Sequence, residues 1–413
     1  MDKKCYWVWL QSVLTINKDI PSKRILSEFG TAENIYEASD MQRRIANVFD
    51  KKQIDQLNTE PIENAVRIVE QCKRLGIEIL TPDQDAYPEK LKTIDDHPVV
   101  LYVKGSLDCL KDRAAIAMVG SRELSLDRAH MIRLLSASIA AAGATVVSGG
   151  ALGADTASHL GALDAGRPTV AVLGCGHNTR YLLENSELRK KIAENGAVIS
   201  EFPPDTRAGR HTFPIRNRII SGMSDGVVVL NAGVRSGSLI TARFAKKQGR
   251  ELFALPGDFY GTLSPGTNEL ISAGTKAVYS AFDVLSGYAE QYPATLDTAN
   301  MMKRVPRTLE EINRNFEPVV LPVGGGAQET YPADRDAGRV NRPKQERDSL
   351  PDAELSPGAA KVYGEMGDEP IHINEIKART GLPVSAVNSA LMELEINGFV
   401  KAEAGKYFTK IKE

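Results

Sequence analysis

Cysteine is scarce: Cys5, Cys72, Cys109 and Cys175 are the four in 413 residues, far apart, with no CxxC and no Cys/His pair at metal-ligand spacing. That excludes a disulfide framework, argues against a zinc site and fits reduced thiols. Long apolar runs are missing too. None approaches the ~18 residues that cross a bilayer. The N-terminal MDKKCYWVWLQSVL carries a short apolar patch after two lysines, but no long h-region and no small-residue cleavage site, so a cytoplasmic protein is expected. Nor is there an excess of either charge. With 51 Lys+Arg against 53 Asp+Glu, the formal net charge is −2, and any grip on a polyanion must come from local clusters. A GxxxxGK[ST] loop is absent, which excludes a P-loop NTPase. No cofactor and no metal ion are expected.

What is present falls into blocks. At this length the chain should hold two or three domains. Residues 1–75 read as helical, with apolar residues at helical spacing in SKRILSEFGTAENIYEA broken at Phe29-Gly30, a small module of SAM or helix-hairpin-helix type. Residues 76–296 alternate short apolar runs with helical stretches: VVLYV (99–103), AIAMV (115–119), ATVVS (144–148), TVAVL (169–173), AVIS (197–200), GVVVL (226–230) and ELFAL (251–255). Nearly continuous apolar strands between helices indicate a doubly wound α/β domain, Rossmann-like, with a mostly parallel sheet buried on both faces. Residues 297–355, rich in Gly, Pro and charge, read as a flexible linker, with a short helix expected near Leu309–Asn315. In 356–413, three helices followed by VKAEAGKYFTK, a hairpin turning at Ala404-Gly405, make a winged-helix domain.

A doubly wound sheet binds ligands outside the carboxyl ends of its strands, at the switch point of strand order. The residues after each run are therefore the informative ones. AIAMV is followed by Gly120-Ser121-Arg122, and ATVVS ends at Ser148 before Gly149-Gly150-Ala151-Leu152-Gly153-Ala154-Asp155. TVAVL is followed by Gly174-Cys175-Gly176. GVVVL is followed by Asn231-Ala232-Gly233 and then Ser236-Gly237-Ser238. Glycines let backbone amides approach a ligand, and helix N-termini favour anions. One such turn is ordinarily just a turn, but four on one sheet edge make a pocket for phosphates.

A cluster of positive charge belongs to the same edge. The 19 residues Thr206 to Ser224 contain no carboxylate but hold Arg207, Arg210, Arg216, Arg218 and His211. A helix starting near Pro214 puts Arg216, Asn217 and Arg218 near its amino end beside a phosphate, with Phe213 available to stack on a base. Asp155 is expected to bond helix-end amides, and His159 and His177 to pack or cap. A row of anion sites with a stacking surface suits a strand of phosphates better than one nucleotide.

These loops, in order, resemble the DprA/Smf family of DNA-processing proteins. The matching stretches are MVGSRELS, VVSGGALGADTASHLGAL, TVAVLGCG, ISEFPP, FPIRNRIISGMSD, RSGSLITARFAKKQGRELFALPGD and SPGTNELISAGT. The resemblance implies a non-enzymatic single-stranded DNA binder that protects incoming DNA, helps to load the RecA recombinase during natural transformation and works as a homodimer. It assigns DNA contact to Gly120, Ser121, Arg122, Ser148, Gly149, Gly150, Phe213, Arg216, Asn217, Arg218, Ser236, Gly237 and Ser238; Gly153 joins them from the glycine turn before Asp155. Two positions depart from the family pattern. Leu183 stands where a basic residue is common, and Asn231 where an acidic one is often found, which implies weaker or altered DNA binding.

The winged-helix segment Val384–Asn397 has Glu393 and Glu395 but no Lys or Arg, so it suits a protein partner better than a DNA groove. The rival reading is a nucleotide-processing enzyme, a phosphoribohydrolase of the lysine-decarboxylase-like family. Its PGGxGTxxE loop is echoed faintly by SPGTNEL (Ser264–Leu270), without the double glycine.

Overall fold

A computed structural model describes residues 1–14, 21–258, 262 and 264–302, and toward the C-terminus 356–367, 371–382, 386, 387, 390, 391, 393, 394, 399–403 and 407–410. Two compact units divide the chain, Met1–Gln328 and Glu329–Glu413. The helix expected near Leu309–Asn315 and the turn at Ala404-Gly405 lie outside the described residues, as does nearly all of the expected linker.

The first unit opens with six helices: α1 (Lys4–Leu14), α2 (Ser22–Phe29), α3 (Ala32–Glu37), α4 (Asp40–Ile45), α5 (Lys51–Thr59) and α6 (Ile62–Arg74). Local chemistry sets their ends. Thr31, Ser39 and Asp50 each accept a hydrogen bond from a backbone amide of the helix they start, and Gly30 ends α2 at φ 76°. Trp7, Leu10, Ile25, Ile35, Leu57 and Val69 form a core that also takes in Ile79, Val100 and Tyr102. The helical segment is thus packed onto the strands that follow it.

Those strands and helices run β1 (Glu78–Leu80), α7 (Glu89–Lys92), β2 (Leu101–Gly105), β3 (Ala115–Val119), α8 (Leu126–Ala141), β4 (Thr145–Ser148), α9 (Ala154–Asp164), β5 (Thr169–Leu173), α10 (Ser186–Asn195) and β6 (Ala197–Ser200). They continue α11 (Thr212–Gly222), β7 (Gly226–Val229), α12 (Ser238–Lys247), β8 (Glu251–Ala254), α13 (Pro265–Ser272), β9 (Lys276–Ala277), α14 (Ala281–Leu285) and α15 (Thr298–Met301). The nine strands lie in the order β1-β2-β6-β5-β4-β3-β7-β8-β9. Neighbours from β6 to β9 are parallel; β1 and β2 join antiparallel at one edge.

The strand period of two divides the core. Ile116 and Met118 of β3 point to one face with Ile132 and Ile139 of α8 and Ala154 and Ala157 of α9. Ala115, Ala117 and Val119 point to the other, with Leu91 of α7, Ile219 and Ile220 of α11 and Ala242 of α12. Helices cover both faces, as the continuous apolar runs require. The short β1 and β9 were not expected, since strands of three and two residues leave no periodic signal. Residues at the start of the expected linker are ordered: Asp297 caps α15, and Met301 is buried.

In the second unit, α16 (Pro357–Glu365), β10 (Ile371–His372), α17 (Ile373–Thr380), β11 (Val400–Glu403) and β12 (Tyr407–Lys410) surround a core of Val362, Ile376, Val387, Leu391, Leu394 and Val400. The described residues from 386 to 394 are helical. The sheet order is β10-β12-β11, all antiparallel. This is the expected winged-helix arrangement.

Candidate nucleic-acid interface

Strand order reverses beside β3, whose neighbours are β4 and β7. The loops after β3 and β7 meet there: Ser121 N donates to Asn231 Oδ1 at 2.8 Å. The carbonyl of Ser121 accepts from Ala154 N, the first residue of α9, at 3.0 Å. Two glycines make this approach possible. A Cβ on Gly120 would overlap Asn231 Oδ1, and one on Gly153, held at φ 75°, would overlap the carbonyl of Arg122. Arg122 is exposed at the rim, its guanidinium carbon 5.1 Å from the centre of the Phe213 ring, a cation–π contact.

The turn after β4 is locked from below. Gly150 sits at φ 67°, and Asn185 Nδ2 donates to the carbonyls of Gly150 and Ala151 and to Thr156 Oγ1 at 3.2, 3.3 and 2.9 Å. Arg216 is only 6% exposed, and its Nη1 donates to the Gly149 carbonyl at 2.5 Å and to the carbonyl of Val172. Gly149 has no space for a side chain because Arg216 and Asp155 occupy it. Asp155 Oδ2 accepts from Ala151 N at 3.2 Å, an amide of the glycine turn three residues ahead of α9 rather than one of the helix-end amides expected. Burial pushes its carboxyl pKa up, and the charge of Arg216 pulls it part of the way back.

Three residues expected on the DNA surface are placed otherwise. The fully buried Ser148 hydroxyl donates to the Met118 carbonyl at 2.6 Å, within the sheet. Arg216 lies beneath the glycine turn, not on it. Arg218 is buried against carboxylates, with Nη2 at 2.5 Å from Glu201 Oε1 and Nε at 3.5 Å from Asp96 Oδ2. The cause is helix geometry. α11 begins at Thr212, two residues before Pro214, and two positions along a helix turn a side chain by ~200°. Arg216 therefore faces the glycine turn, whereas Arg218 lines a separate cavity of about 710 Å³ with Asp96, His97, Glu201 and Lys247.

Phe213 and Asn217 share the Arg216 side of the helix. Phe213 is half-buried, with the Tyr181 ring 5.4 Å from it on a 46° tilt. Asn217 Nδ2 donates to the Gly237 carbonyl at 3.4 Å, tying α11 to the turn before α12. In that turn Ser236 Oγ lies 2.8 Å from Ser238 Oγ and accepts from Ser238 N at 3.4 Å. Gly237 is exposed and a side chain there would meet nothing.

A small cavity of about 20 Å³ joins Gly149–Ala151, Gly174–His177, Thr179, Tyr181, Arg189, Phe213 and Arg216. Thr179, Tyr181, Asn185 and Arg189 were not singled out from sequence as site residues, though Tyr181 and Asn185 flank Leu183, where the chain departs from the family pattern. Arg207 and Arg210, also passed over, are exposed on a loop fastened to the one after β5 by Gly176 N to Thr206 O and Asn178 N to Pro204 O, both 2.8 Å. The arginine cluster thus divides into two buried and two exposed members. His159 and His177 are packed: burial takes their pKa values down to about 3 and about 4. Among the described residues no group of three or more His, Cys, Asp or Glu could hold a metal ion, and no helix is long and apolar enough to cross a membrane.

Residues 78–289 match the family model of DNA recombination-mediator protein A. The chain belongs to the DprA/Smf family. Residues 346–406 also match the DprA winged helix domain. The DNA processing protein DprA of Streptococcus pneumoniae is 42% identical over 204 residues, 49% of this chain and 72% of its own. Protein Smf of Synechocystis is 29% identical over 412 residues, 99% of both chains. The X-ray structure of Streptococcus pneumoniae DprA superposes with a TM-score of 0.59 at 32% identity, covering 68% of this chain and 97% of that one. Leu183, at the departure from the DprA/Smf pattern, is 59% exposed beside Asn185.

Proposed function

We propose that the protein is a non-enzymatic single-stranded DNA binder of the DNA-processing class. In this reading the strand crosses the carboxyl edge of the sheet. The turns at Gly120–Ser121, Gly149–Gly150 and Ser236–Ser238 let phosphates come close to the backbone. Arg122, Arg207 and Arg210 supply charge, Phe213 and Tyr181 an aromatic surface, and Asn217 ties α11 to the Gly237 turn. Arg216 acts from below by holding the glycine turn. The observation that carries the reading is the meeting of the glycine loops after β3 and β7 at the switch point, with the Arg122–Phe213 contact beside it and exposed Arg207 and Arg210 on the loop after β6. The name of the Streptococcus pneumoniae relative, a DNA processing protein, supports the same ligand. Protection of incoming DNA, loading of the RecA recombinase in natural transformation, homodimerisation and a cytoplasmic setting belong to this proposal. The winged-helix unit is assigned a protein partner. Its Glu393 accepts from Ser356 N and Oγ at 2.7 and 2.6 Å, bracing the start of α16.

The test is fluorescence anisotropy of a labelled oligothymidylate across a salt series. Three phosphate contacts give a log–log slope of about −2, from about −0.7 per contact on a single strand. Substituting Arg122, Arg207 and Arg210 one at a time to Ala should flatten the slope by about 0.7 each. No binding at low salt, or slopes that ignore all three changes, would overturn the proposal. Release of base or phosphate from a panel of nucleotides is expected to be absent; its detection would favour the enzymatic alternative, whose faint echo SPGTNEL carries Glu269 exposed on α13.

A further inference from the structure

Asn231 directly follows the β7 edge at the switch point and is 2% exposed. Its side-chain oxygen is committed to Ser121 N at 2.8 Å. A backbone N–H can only donate, so the amide has one possible orientation: Oδ1 toward the loop after β3, Nδ2 away from it. Nδ2 has no hydrogen-bond partner among the described residues. The Asn231 carbonyl in turn accepts from Ser238 Oγ at 3.4 Å, so the residue is wedged between the glycine loop and the first turn of α12. That ten-residue helix has no acidic residue in its first turn. A buried donor left unpaired is costly, so an acceptor that reached Nδ2, which has almost no solvent access in the unliganded chain, would be stabilising.

We infer that Asn231 is a ligand-contacting residue that tunes the site for a phosphodiester oxygen, its Nδ2 donating to the anion seated between Gly120–Ser121 and the start of α12. The inference rests on the single-stranded DNA reading of this edge. Ser121 N–H, already held by Oδ1, cannot also serve the phosphate at full strength; the side-chain amide supplies a donor in its place. A carboxylate of the same shape would hold Ser121 equally well. It would also replace the donor with an acceptor and set a negative charge beneath the phosphate. The neutral side chain therefore strengthens the anion site, the reverse of what the departure from the family pattern implied.

The test is Asn231→Asp in the full chain, measured by anisotropy with labelled oligothymidylate and by thermal melting. The expected result is a melting temperature close to that of the parent and affinity about tenfold weaker at low salt. The deficit should shrink in part as salt is raised toward ~1 M, a buried charge being screened less than an exposed one. It should also vanish on a methylphosphonate oligomer, whose linkages are uncharged; a purely structural defect would persist in both conditions. Binding by N231D equal to that of the parent overturns the inference, as does a deficit indifferent to salt and to backbone charge. If N231D does not fold, Asn231→Ser, neutral and lacking the amide donor, should bind about threefold weaker, and parental affinity in that variant overturns the inference. A parent protein that binds no oligothymidylate sinks the DNA reading itself, an outcome distinct from a parent that binds and an N231D that matches it.

Discussion

A guanidinium carries five donors and no acceptor, so its partners reveal its task. Arg216 holds the carbonyls of Gly149 and Val172. Arg128 likewise donates to the carbonyl of Pro256 at 2.7 Å, that of Leu255 at 3.2 Å and that of Leu230, gathering the ends of β7 and β8. An ammonium lacks that planar fork. Arg216→Lys should therefore lower unfolding free energy by about 2–3 kcal/mol in urea titration, because buried carbonyls lose partners. Leu183→Lys tests the opposite case. The side chain is already exposed, so an added cation should leave stability unchanged and steepen the salt slope of DNA binding by about 0.7. At this scale the sequence was informative about Gly120 and Gly153, because their loops follow recognisable strands. It was silent on the burial of Arg216, whose carbonyl partners come from residues 67 and 44 positions away.

Helix α11 shows what an element adds to its residues. Its turn sends Arg218 to Glu201, whose carboxyl pKa burial raises while Arg218 opposes the rise. Arg218→Met should destabilise by about 3–5 kcal/mol, since it strands a buried charge, and adding Glu201→Leu should restore most of that. Chemical denaturation of the two variants checks both. Helix α9 gives the pH dependence. The Thr169 hydroxyl donates to the Val146 carbonyl at 2.7 Å, so it accepts from His159 Nδ1 at 2.9 Å, and the ring is neutral and buried. Its folded pKa of about 3 lies below the ordinary 6.5. The unfolded chain therefore binds the extra proton between those values, and stability falls as pH drops below 6.5, by about 2 kcal/mol at pH 5. Asp155 and Glu201, with raised folded values, act in the opposite sense, giving stability at low pH that is lost as pH rises through their folded pKa. His159→Gln should flatten the acid side of a plot of urea midpoint against pH. Apolar runs announced β3 to β8 because strands buried on both faces leave a continuous signature; the burial of Arg218 depends on Glu201 and Asp96, which the fold brings to it from other elements.

The whole molecule contains two units, and the candidate groove lies entirely in the first. A protein ending at residue 302 should therefore bind oligothymidylate with the salt slope of the full chain, a comparison anisotropy can make directly. The doubly wound architecture and the winged helix were legible because alternating texture and hairpin chemistry are local properties. The packing of the first six helices onto β1 and β2 was not, since it joins Trp7 and Leu10 to Val100 and Tyr102 across some ninety residues.

Both margins of the large sheet end in stubs, three residues at β1 and two at β9. So little unpaired backbone offers almost no template for strand addition. Open-ended polymerisation through the margins of this sheet is thereby discouraged.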